Sequence, residues 1–352
     1  MQVIVHIGSP KAGSTTLQRA LRINREALAS QGVMFWEPDW RLGPPARILA
    51  NRFVRAKKPL LPRERMHFAS REEATACSLK CWAELQETVR REQPPVTVLS
   101  SESLFAVKPP SKLLEALGEV FDSVTILAYM RDPVALYASA LDQIIRDGTR
   151  LAQLWLPTNF GFPAASVLVR YANLLGAERV VVRHLLRENL AGGDLTADFA
   201  ASLSGILGKA VQLPESPAAS NESLCAAAAV WMLGQNETFS RFGGEGDQRM
   251  IKDRAALIKR LLEAPELGGL PKLSVVGTSL ADWVRAVQRE DIVLLNERFL
   301  AGQHPLKLPP EGCYLPEEGQ MRAALRDWLL SQAPGDALER VMRAALPLPE
   351  PG

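Results

Sequence analysis

The chain has 352 residues and 47% hydrophobic content, so it is long enough to bury one large core or two smaller ones. Its 41 Lys and Arg residues nearly balance its 39 Asp and Glu residues, and the net charge of +2 excludes a chain that is basic along its whole length. Four cysteines, four histidines and no C-x-x-C pair argue against both a disulfide scaffold and a structural zinc site.

The apolar runs of the chain are short. Residues 1–7 lack the basic region of a signal sequence. Residues 225–233 fall well short of the roughly 20 residues that cross a bilayer. We therefore expect a soluble, cytoplasmic protein with no transmembrane segment, no metal and no nucleic-acid partner.

Taken in chain order, short β-branched runs alternate with longer helical patterns in the N-terminal half. Buried parallel strands are predicted at residues 3–7, 96–99, 124–129 and 180–182. Helices are predicted at residues 15–30, 70–92, 194–207, 222–240 and 249–262, and twice more toward the C-terminus. This order predicts an α/β fold of three layers, in which helices cover a parallel β-sheet, with a helical C-terminal portion.

We expect a single domain over residues 1–352. Residues 1–190 would form the α/β core, and residues 191–352 would form a mainly helical part that covers or flanks the site.

The most informative segment follows the first predicted strand and opens the first helix. Strand, glycine loop and helix in this order bring backbone N–H groups and the positive end of a helix dipole to one point, which suits a phosphate group. Lysine and hydroxyl side chains within the segment add further donors. An ordinary βα turn capped by Ser or Thr is the alternative. The segment reads Gly8-Ser9-Pro10-Lys11-Ala12-Gly13-Ser14-Thr15-Thr16.

The spacing of this loop differs from that of nucleoside triphosphate sites. In the usual P-loop the lysine follows the second glycine, whereas Lys11 precedes Gly13 by two residues. Such sites also need a Mg²⁺ ligand on a neighbouring strand, but the strand at residues 124–129 is soon followed by Arg131. A cation there suits a ligand phosphate better than a metal. A P-loop kinase for a small molecule is kept as the second hypothesis.

A second candidate anchor begins where that strand ends. Asp132 is a good helix N-cap and Pro133 a good first helical residue, so we expect a helix to start at the same sheet edge as the first loop. Arg131 precedes this helix and Ser139 lies about two turns into it. An arginine and a hydroxyl so placed could bind a second phosphate. Pairing of Arg131 with a carboxylate is the alternative.

Together the two segments resemble the sulfotransferases that use 3′-phosphoadenosine 5′-phosphosulfate (PAPS). In that family a P-K-x-G-[ST]-[ST] loop binds the 5′-phosphosulfate, and an R-D-P segment with a serine eight residues after the arginine binds the 3′-phosphate. The sequence has both motifs, and the resemblance covers about residues 1–190. It implies PAPS as co-substrate, no metal, and these nucleotide-binding residues: Pro10, Lys11, Ala12, Gly13, Ser14, Thr15, Thr16, Arg131 and Ser139.

The resemblance also implies in-line transfer of the sulfuryl group to an acceptor hydroxyl or amine. Lys11 would stabilise the leaving phosphate, and Ser139 would contact the 3′-phosphate and steer Lys11. Glu102 follows the strand at residues 96–99 and is the predicted general base. Carbohydrate-modifying members use a glutamate there, so a saccharide or glycolipid acceptor is expected. One alternative is that Glu102 caps the helix or loop that follows, or pairs with a basic residue. Another is that the protein is a non-catalytic nucleotide-binding relative.

Histidines and local charge give the remaining expectations. His6 lies inside the first strand and is predicted to be a buried core residue, whereas His184 could stack near the adenine. The C-terminal R-K-G-x-x-G-x-W-K adenine loop of the cytosolic members is absent. Residues 41–71 contain nine basic residues and one acid, Glu64. We expect this patch to attract an anionic acceptor, and a solvated surface run is the alternative.

Overall fold

The computed structural model describes residues 1–9, 11–38, 48–55, 57–60, 64–65, 67–161, 163–215, 223–238 and 248–345. The chain forms two compact units. The first unit comprises Met1–Asp132, Pro163–Ala218 and Glu290–Leu306, and the second comprises Pro133–Phe162, Ala219–Arg289 and Lys307–Gly352. Each unit is therefore assembled from segments distant in sequence. The single domain expected over residues 1–352 stays a prediction.

The first unit contains a parallel sheet with helices on both sides, which confirms the predicted α/β class. The strands found in the described residues are β1 (Gln2–His6), β2 (Val33–Phe35), β3 (Val96–Ser100), β4 (Ser123–Met130) and β5 (Val180–His184). Their order is β2-β3-β1-β4-β5, and each neighbouring pair is parallel. The four predicted strands are confirmed. The edge strand β2 was not predicted, because three residues are too few to show a periodic pattern.

The helices of both units are numbered in chain order over the part of the chain that the structure describes. They are α1 (Ser14–Ile23), α2 (Arg25–Ser30), α3 (Arg71–Glu92), α4 (Ser111–Gly118), α5 (Pro133–Arg146), α6 (Ala164–Leu175), α7 (Leu195–Leu207), α8 (Ala226–Thr238), α9 (Gln248–Glu263), α10 (Ser279–Val287), α11 (Arg289–Arg298), α12 (Glu318–Ser331) and α13 (Gly335–Ala345).

The helix predicted at residues 15–30 is divided at Asn24 into α1 and α2, so that expectation was wrong. The Asn24 Nδ2 donates to the carbonyls of Ala20 (2.8 Å) and Glu215 (2.7 Å), and its Oδ1 accepts from the Glu215 N–H (2.9 Å). An asparagine side chain that bonds backbone groups competes with the helix. The partner at Glu215 is distant in sequence, which is why helical periodicity missed the break.

The long helix α3 precedes β3 and brings the chain to the start of that strand. Parallel neighbours require the chain to leave β2 at the carboxyl edge of the sheet and to return to the amino edge before β3. The 22 residues of α3 span about 33 Å, roughly twice the length of the five-residue β3. From this length and connectivity we infer that the N-terminus of α3 lies toward the carboxyl edge of the sheet.

The core of the first unit holds β1 and α1 together. Ile4 of β1, Leu17 of α1 and Phe199 of α7 are fully buried in one cluster with Leu127 and Tyr129 of β4. Each such side chain contributes about 1.5–3 kcal/mol by burial. The loop between β1 and α1 consequently has both of its ends fixed.

The second unit is helical, with α5, α8, α9, α10, α12 and α13 contributing to one buried apolar cluster. The carboxyl end of α5 is closed by Arg254, whose guanidinium donates to the carbonyls of Ile145 (2.8 Å) and Arg146 (2.6 Å). The sequence predicted two helices after α9, whereas the described residues form four. The gaps between α10 and α11 and between α12 and α13 are only a few residues, so each pair resembles one continuous pattern.

Candidate functional site

The predicted phosphate loop joins β1 to α1 in the first unit. Beyond β1 the backbone still pairs with β4, because the Ile7 N–H donates to the Leu127 carbonyl (3.0 Å) and the Ser9 N–H to the Tyr129 carbonyl (2.9 Å). The chain then turns, and the Ala12 N–H donates back to the Ser9 carbonyl (3.1 Å). These bonds hold the loop at the carboxyl edge of the sheet, where ligands bind in parallel α/β folds.

Two residues of the loop have left-handed backbone conformations. Lys11 has φ 60° and Gly13 has φ 80°. A lysine rarely adopts this conformation, and holding it there costs about 1–3 kcal/mol. A Cβ at Gly13 would lie 2.3 Å from Cδ2 of Leu195, and a Cβ at Gly8 would lie 3.0 Å from Nε2 of His6. Gly13 is therefore favoured by its positive φ as well as by a close approach, and Gly8 by a close approach alone.

The start of α1 offers donors to an anion. Gly13 is the N-cap and has no side chain to accept from the first amide groups, which have no partner within the helix. The hydroxyls of Ser9 and Ser14 are buried and have no hydrogen-bond partner among the described residues. A buried hydroxyl without a partner costs about 1–3 kcal/mol. Such atoms indicate a ligand that completes their hydrogen bonds.

The other predicted residues of this loop differ in exposure. Ala12 is fully buried and has no polar side chain. Thr15 is exposed and Thr16 is half-buried, so both hydroxyls of these threonines lie nearer to solvent than that of Ser14. Pro10 lies outside the described residues.

Arg131 follows β4 and reaches the phosphate loop. Its Nη1 donates to the carbonyl of Lys11 (3.1 Å), across a separation of 120 residues. Burial lowers the pKa of the Arg131 guanidinium, and the neighbouring Asp132 opposes that shift. An arginine nevertheless stays charged. Arg131 forms no salt bridge within the described residues, so its charge is left for another partner.

Glu102 lies at the same edge of the sheet. It begins a short 3-10 turn, Glu102–Ala106, just past the end of β3. His6 lies opposite Ser100 in the β1–β3 pair, and the Ser101 N–H donates to the His6 carbonyl (3.0 Å). Glu102 is thus two residues beyond the paired positions and is half-buried. This placement brings a carboxylate to the strand next to the phosphate loop.

His6 is fully buried beneath the loop, which confirms the prediction of a core histidine. Its Nδ1 lies 2.8 Å from Oγ of Ser100, and its ring packs edge-on against Tyr129 and Phe199. Burial lowers the pKa of His6 to about 4, so the ring is neutral at pH 7. Its Nε2 has no partner among the residues described. Sequence reasoning missed its contact with the loop, although its position just before Gly8 was a signal.

Ser139 and His184 are the other two candidate nucleotide contacts, and they lie outside the phosphate loop. Ser139 lies on α5, in the second unit, and is half-buried. Its predicted contacts with a 3′-phosphate and with Lys11 stay predictions. His184 ends β5 with its ring buried and its Nδ1 2.8 Å from the carbonyl of His304. The ring therefore has no exposed face on which an adenine could stack.

A cavity of about 780 Å³ in the first unit lies away from this loop. Its lining includes Gln2 and Ser123 at the amino ends of β1 and β4, together with residues of α7. The buried carboxylate of Asp198 on its wall accepts from Tyr129 Oη (2.7 Å) and Arg183 Nε (3.0 Å). The hydrogen bonds of this carboxylate are made within the protein. We therefore assign the candidate site to the phosphate loop and not to this cavity.

The described part of the chain contains no group of three or more His, Cys, Asp or Glu side chains that could hold a metal ion. None of its helices combines the length and the apolar composition needed to cross a membrane.

Comparison with known proteins adds one structural neighbour. No protein-family model matches the sequence, and a search of curated proteins finds no match. Among solved structures, the chain is similar to the crystal structure of a sulfotransferase from Alicyclobacillus acidocaldarius. The TM-score is 0.38 and the sequence identity 18%, over 66% of this chain and 91% of that chain. At this identity, function has to be inferred from the residues of the site.

Proposed function

We propose that the protein is a PAPS-dependent sulfotransferase that transfers a sulfuryl group to a hydroxyl or amine of an acceptor. The observation that carries the proposal is the hydrogen bond from Arg131 Nη1 to the Lys11 carbonyl, 3.1 Å long, which joins the two segments that resemble the PAPS anchors. A guanidinium beside an uncapped helix N-terminus is suited to a ligand with more than one anionic group.

The chemistry of the loop fits the phosphosulfate of the donor. The hydroxyls of Ser9 and Ser14 need acceptors, and anionic oxygens supply them. Lys11 adds a cation to the same loop. For the 3′-phosphate we assign Arg131 and Ser139, and for the 5′-phosphosulfate we assign Pro10, Lys11, Ala12, Gly13, Ser14, Thr15 and Thr16.

In the proposed reaction the bond between sulfur and the bridging phosphate oxygen breaks as the acceptor oxygen bonds to sulfur. Glu102 accepts the proton of the acceptor hydroxyl. The electron pair of the broken bond stays on the 5′-phosphate oxygen of adenosine 3′,5′-bisphosphate, where Lys11 neutralises the developing charge. A sulfuryl group carries less negative charge than a phosphoryl group, so a lysine and a helix dipole can stabilise this leaving group.

The proposed acceptor is a saccharide or a glycolipid. Its support is the carboxylate of Glu102 at the end of β3, the position where carbohydrate-modifying members of the family have a glutamate.

Calorimetric titration with adenosine 3′,5′-bisphosphate tests the donor site. Wild-type protein should bind it without Mg²⁺, and Lys11→Ala and Arg131→Ala should each weaken binding at least tenfold, or about 1.4 kcal/mol. The exposed Lys112 and Arg179 offer matched controls, since Lys112→Ala and Arg179→Ala remove the same charges elsewhere. Unchanged affinity in both site variants would overturn the assignment.

The same titration separates the proposal from a kinase. ATP with Mg²⁺ should bind much more weakly than the bisphosphate. Lys11 precedes Gly13, whereas a triphosphate site has its lysine after that glycine, and Arg131 follows β4, where such a site needs a metal ligand. Binding of ATP only with Mg²⁺, and none of the bisphosphate, would identify a kinase.

Transfer of radiolabelled sulfate from PAPS to a panel of saccharides, glycolipids and simple alcohols tests the reaction itself. Glu102→Gln should lower kcat about 10²- to 10⁴-fold, while the affinity for the bisphosphate stays at the wild-type value. Tight bisphosphate binding with no turnover on any acceptor would instead indicate a non-catalytic relative.

A further inference from the structure

A second cavity of the first unit, of about 430 Å³, lies at the start of α3. Its lining includes the exposed cations Lys57, Lys58 and Arg65, and Phe68 contributes a buried apolar wall. We call this space the cationic pocket. Among the described residues, no carboxylate belongs to its lining.

The backbone of the cationic pocket is held by a buried ion pair. Arg71, the first residue of α3, bonds the carboxylate of Glu64 (2.8 Å), and both side chains are about 95% buried. The same guanidinium donates to the carbonyls of Lys58 (3.1 Å) and Pro59 (3.0 Å). A planar guanidinium with several bonds of this kind fixes the geometry of its partners. The segment that carries Lys57 and Lys58 is thus held against α3.

The nearby carboxylates are already engaged. Glu64 is used by Arg71. Glu73 accepts from the Ala69 N–H (2.7 Å), and hydrogen bonds within the first turn of α3 lower the pKa of Glu72. The N-terminus of α3 is itself capped by Ser70, whose Oγ accepts from the Glu73 N–H (3.2 Å). The attraction of the pocket for an anion therefore comes from its cations.

Lys57, Lys58 and Arg65 form no salt bridge with any residue that the structure describes. By contrast, Arg22 and Arg25 of the same unit are compensated, since both bond Glu37. Three like charges around one small volume repel one another, and an anion removes that cost.

The structure also divides the nine basic residues predicted to form a patch. Arg52 lies over the rings of Phe53 (5.4 Å) and Trp82 (5.0 Å) and is part of the packing. Arg71 is buried. Arg41, Arg47 and Arg63 lie outside the described residues. Lys57, Lys58 and Arg65 line the pocket as exposed residues, and the buried Arg71 lines it as well. Arg55 is exposed and is not part of this lining.

The position of the cationic pocket relates it to the candidate active site. From the parallel pairing of β2 and β3 we infer that the N-terminus of α3, which precedes β3 in the chain, lies toward the carboxyl edge of the sheet. The phosphate loop follows β1, and Glu102 follows β3, at this same edge. An acceptor bound near Glu102 can therefore extend along the edge toward the pocket.

We propose that the cationic pocket binds an anionic group of the acceptor, a sulfate, phosphate or carboxylate at a distance from the reacting hydroxyl. This role rests on the proposed sulfotransferase function, whereas the anion site itself does not. The volume of the pocket, about 430 Å³, suits a compact group that carries the charge.

Sucrose octasulfate, with neutral sucrose as its matched control, is the probe. It is titrated into full-length protein saturated with adenosine 3′,5′-bisphosphate, so that the phosphate loop is occupied. Wild-type protein should bind the octasulfate and not sucrose, and the affinity should fall as NaCl is raised from about 50 to about 300 mM. The variant K57Q/K58Q/R65Q, whose three substituted positions are exposed, should bind the octasulfate at least tenfold more weakly than the wild type.

The control variant K80Q/R90Q/R91Q removes three charges from the exposed surface of the same helix, farther from the pocket. It should bind the octasulfate within about twofold of the wild type. An equal loss in the two triple variants would mean a general charge effect and would overturn the proposal. So would an unchanged affinity in K57Q/K58Q/R65Q, or no binding of the octasulfate to wild-type protein.

Failure of the proposed function gives a different result. In that case the bisphosphate does not bind, or PAPS is not turned over, yet octasulfate binding still depends on Lys57, Lys58 and Arg65. If the pocket instead takes part in nucleotide binding, K57Q/K58Q/R65Q will weaken the bisphosphate as well, and the assignment to the acceptor is overturned.

Discussion

Two polar regions of the first unit, the phosphate loop and the Asp198 cluster, differ in whether their buried polar groups have hydrogen-bond partners. The cluster consists of Asp198 with its donors Tyr129, Arg183 and Ala191, and every one of these bonds lies between 2.5 and 3.0 Å. The loop leaves the hydroxyls of Ser9 and Ser14, and the Nε2 of the adjacent His6, without a partner among the described residues.

The difference separates a structural network from a binding site. The Asp198 cluster lies on the wall of the 780 Å³ cavity, whereas the loop is a strained turn at the sheet edge. Folding alone satisfies the first, whereas we propose that a bound anion completes the hydrogen bonds of the second. The size of a cavity is therefore a weaker guide to the site than the hydrogen bonds that the protein leaves open.

The largest effect is expected from breaking the satisfied network. Asp198→Ala leaves Arg183 without its carboxylate and the buried Tyr129 hydroxyl without its acceptor. The free energy of unfolding should fall by about 3–5 kcal/mol. Asp194→Ala on the same helix removes only an N-cap bond to the Ala197 N–H and should cost about 1 kcal/mol. Urea unfolding measures both, and equal losses would contradict the comparison.

Acid should destabilise the protein through His6. Its pKa is about 4 when folded and about 6.5 when unfolded, so the unfolded chain binds the proton first. The stability held above about pH 6.5 should decline by roughly 2.5 kcal/mol by about pH 4.5 and continue to fall through pH 4. Asp291, with a pKa raised to about 6 by burial, acts in the opposite direction.

For that reason the measurement is the difference in unfolding free energy between wild-type protein and His6→Gln at several pH values. The advantage of the wild type should shrink as pH falls. A difference that does not change with pH would mean that the pKa of His6 is the same in the folded and the unfolded protein, contrary to its burial beneath the loop.

Strain in the loop predicts a smaller effect. Gly13→Ala places a Cβ against Leu195 at a positive φ, and we expect a loss of about 1–2 kcal/mol together with weaker bisphosphate binding. Gly205→Ala is the matched control, because α7 has open space there and alanine favours a helix by about 1 kcal/mol. Thermal unfolding should move in opposite directions for the two variants.

The smallest change in stability, and the sharpest contrast with Asp198, is expected at Ser14. Ser14→Ala removes a buried hydroxyl without a partner, so stability should be unchanged or rise by up to about 1 kcal/mol. Affinity for adenosine 3′,5′-bisphosphate should nevertheless fall about tenfold. A loss of stability with unchanged affinity would show that this hydroxyl serves the fold.

Much of the first unit could be predicted from local patterns. The apolar strands at residues 3–7, 96–99, 124–129 and 180–182 were found because central parallel strands are buried on both faces. The helix break at Asn24 was not predicted, because the Asn24 side chain bonds the backbone N–H of Glu215, which is distant in sequence. The bond between His6 Nδ1 and Ser100 Oγ was missed for the same reason, since it depends on the pairing of β1 with β3.

The sequence by itself determined the two motifs, their spacing and the strands that carry them, because these depend on residue type and local periodicity. Only the tertiary structure decided that Arg131 reaches the Lys11 carbonyl, which follows from β1 and β4 being neighbours in the sheet. It also decided which of nine nearby basic residues line the cationic pocket and which are used in packing. Both outcomes depend on contacts between distant residues, and local periodicity does not encode the order in which strands pair.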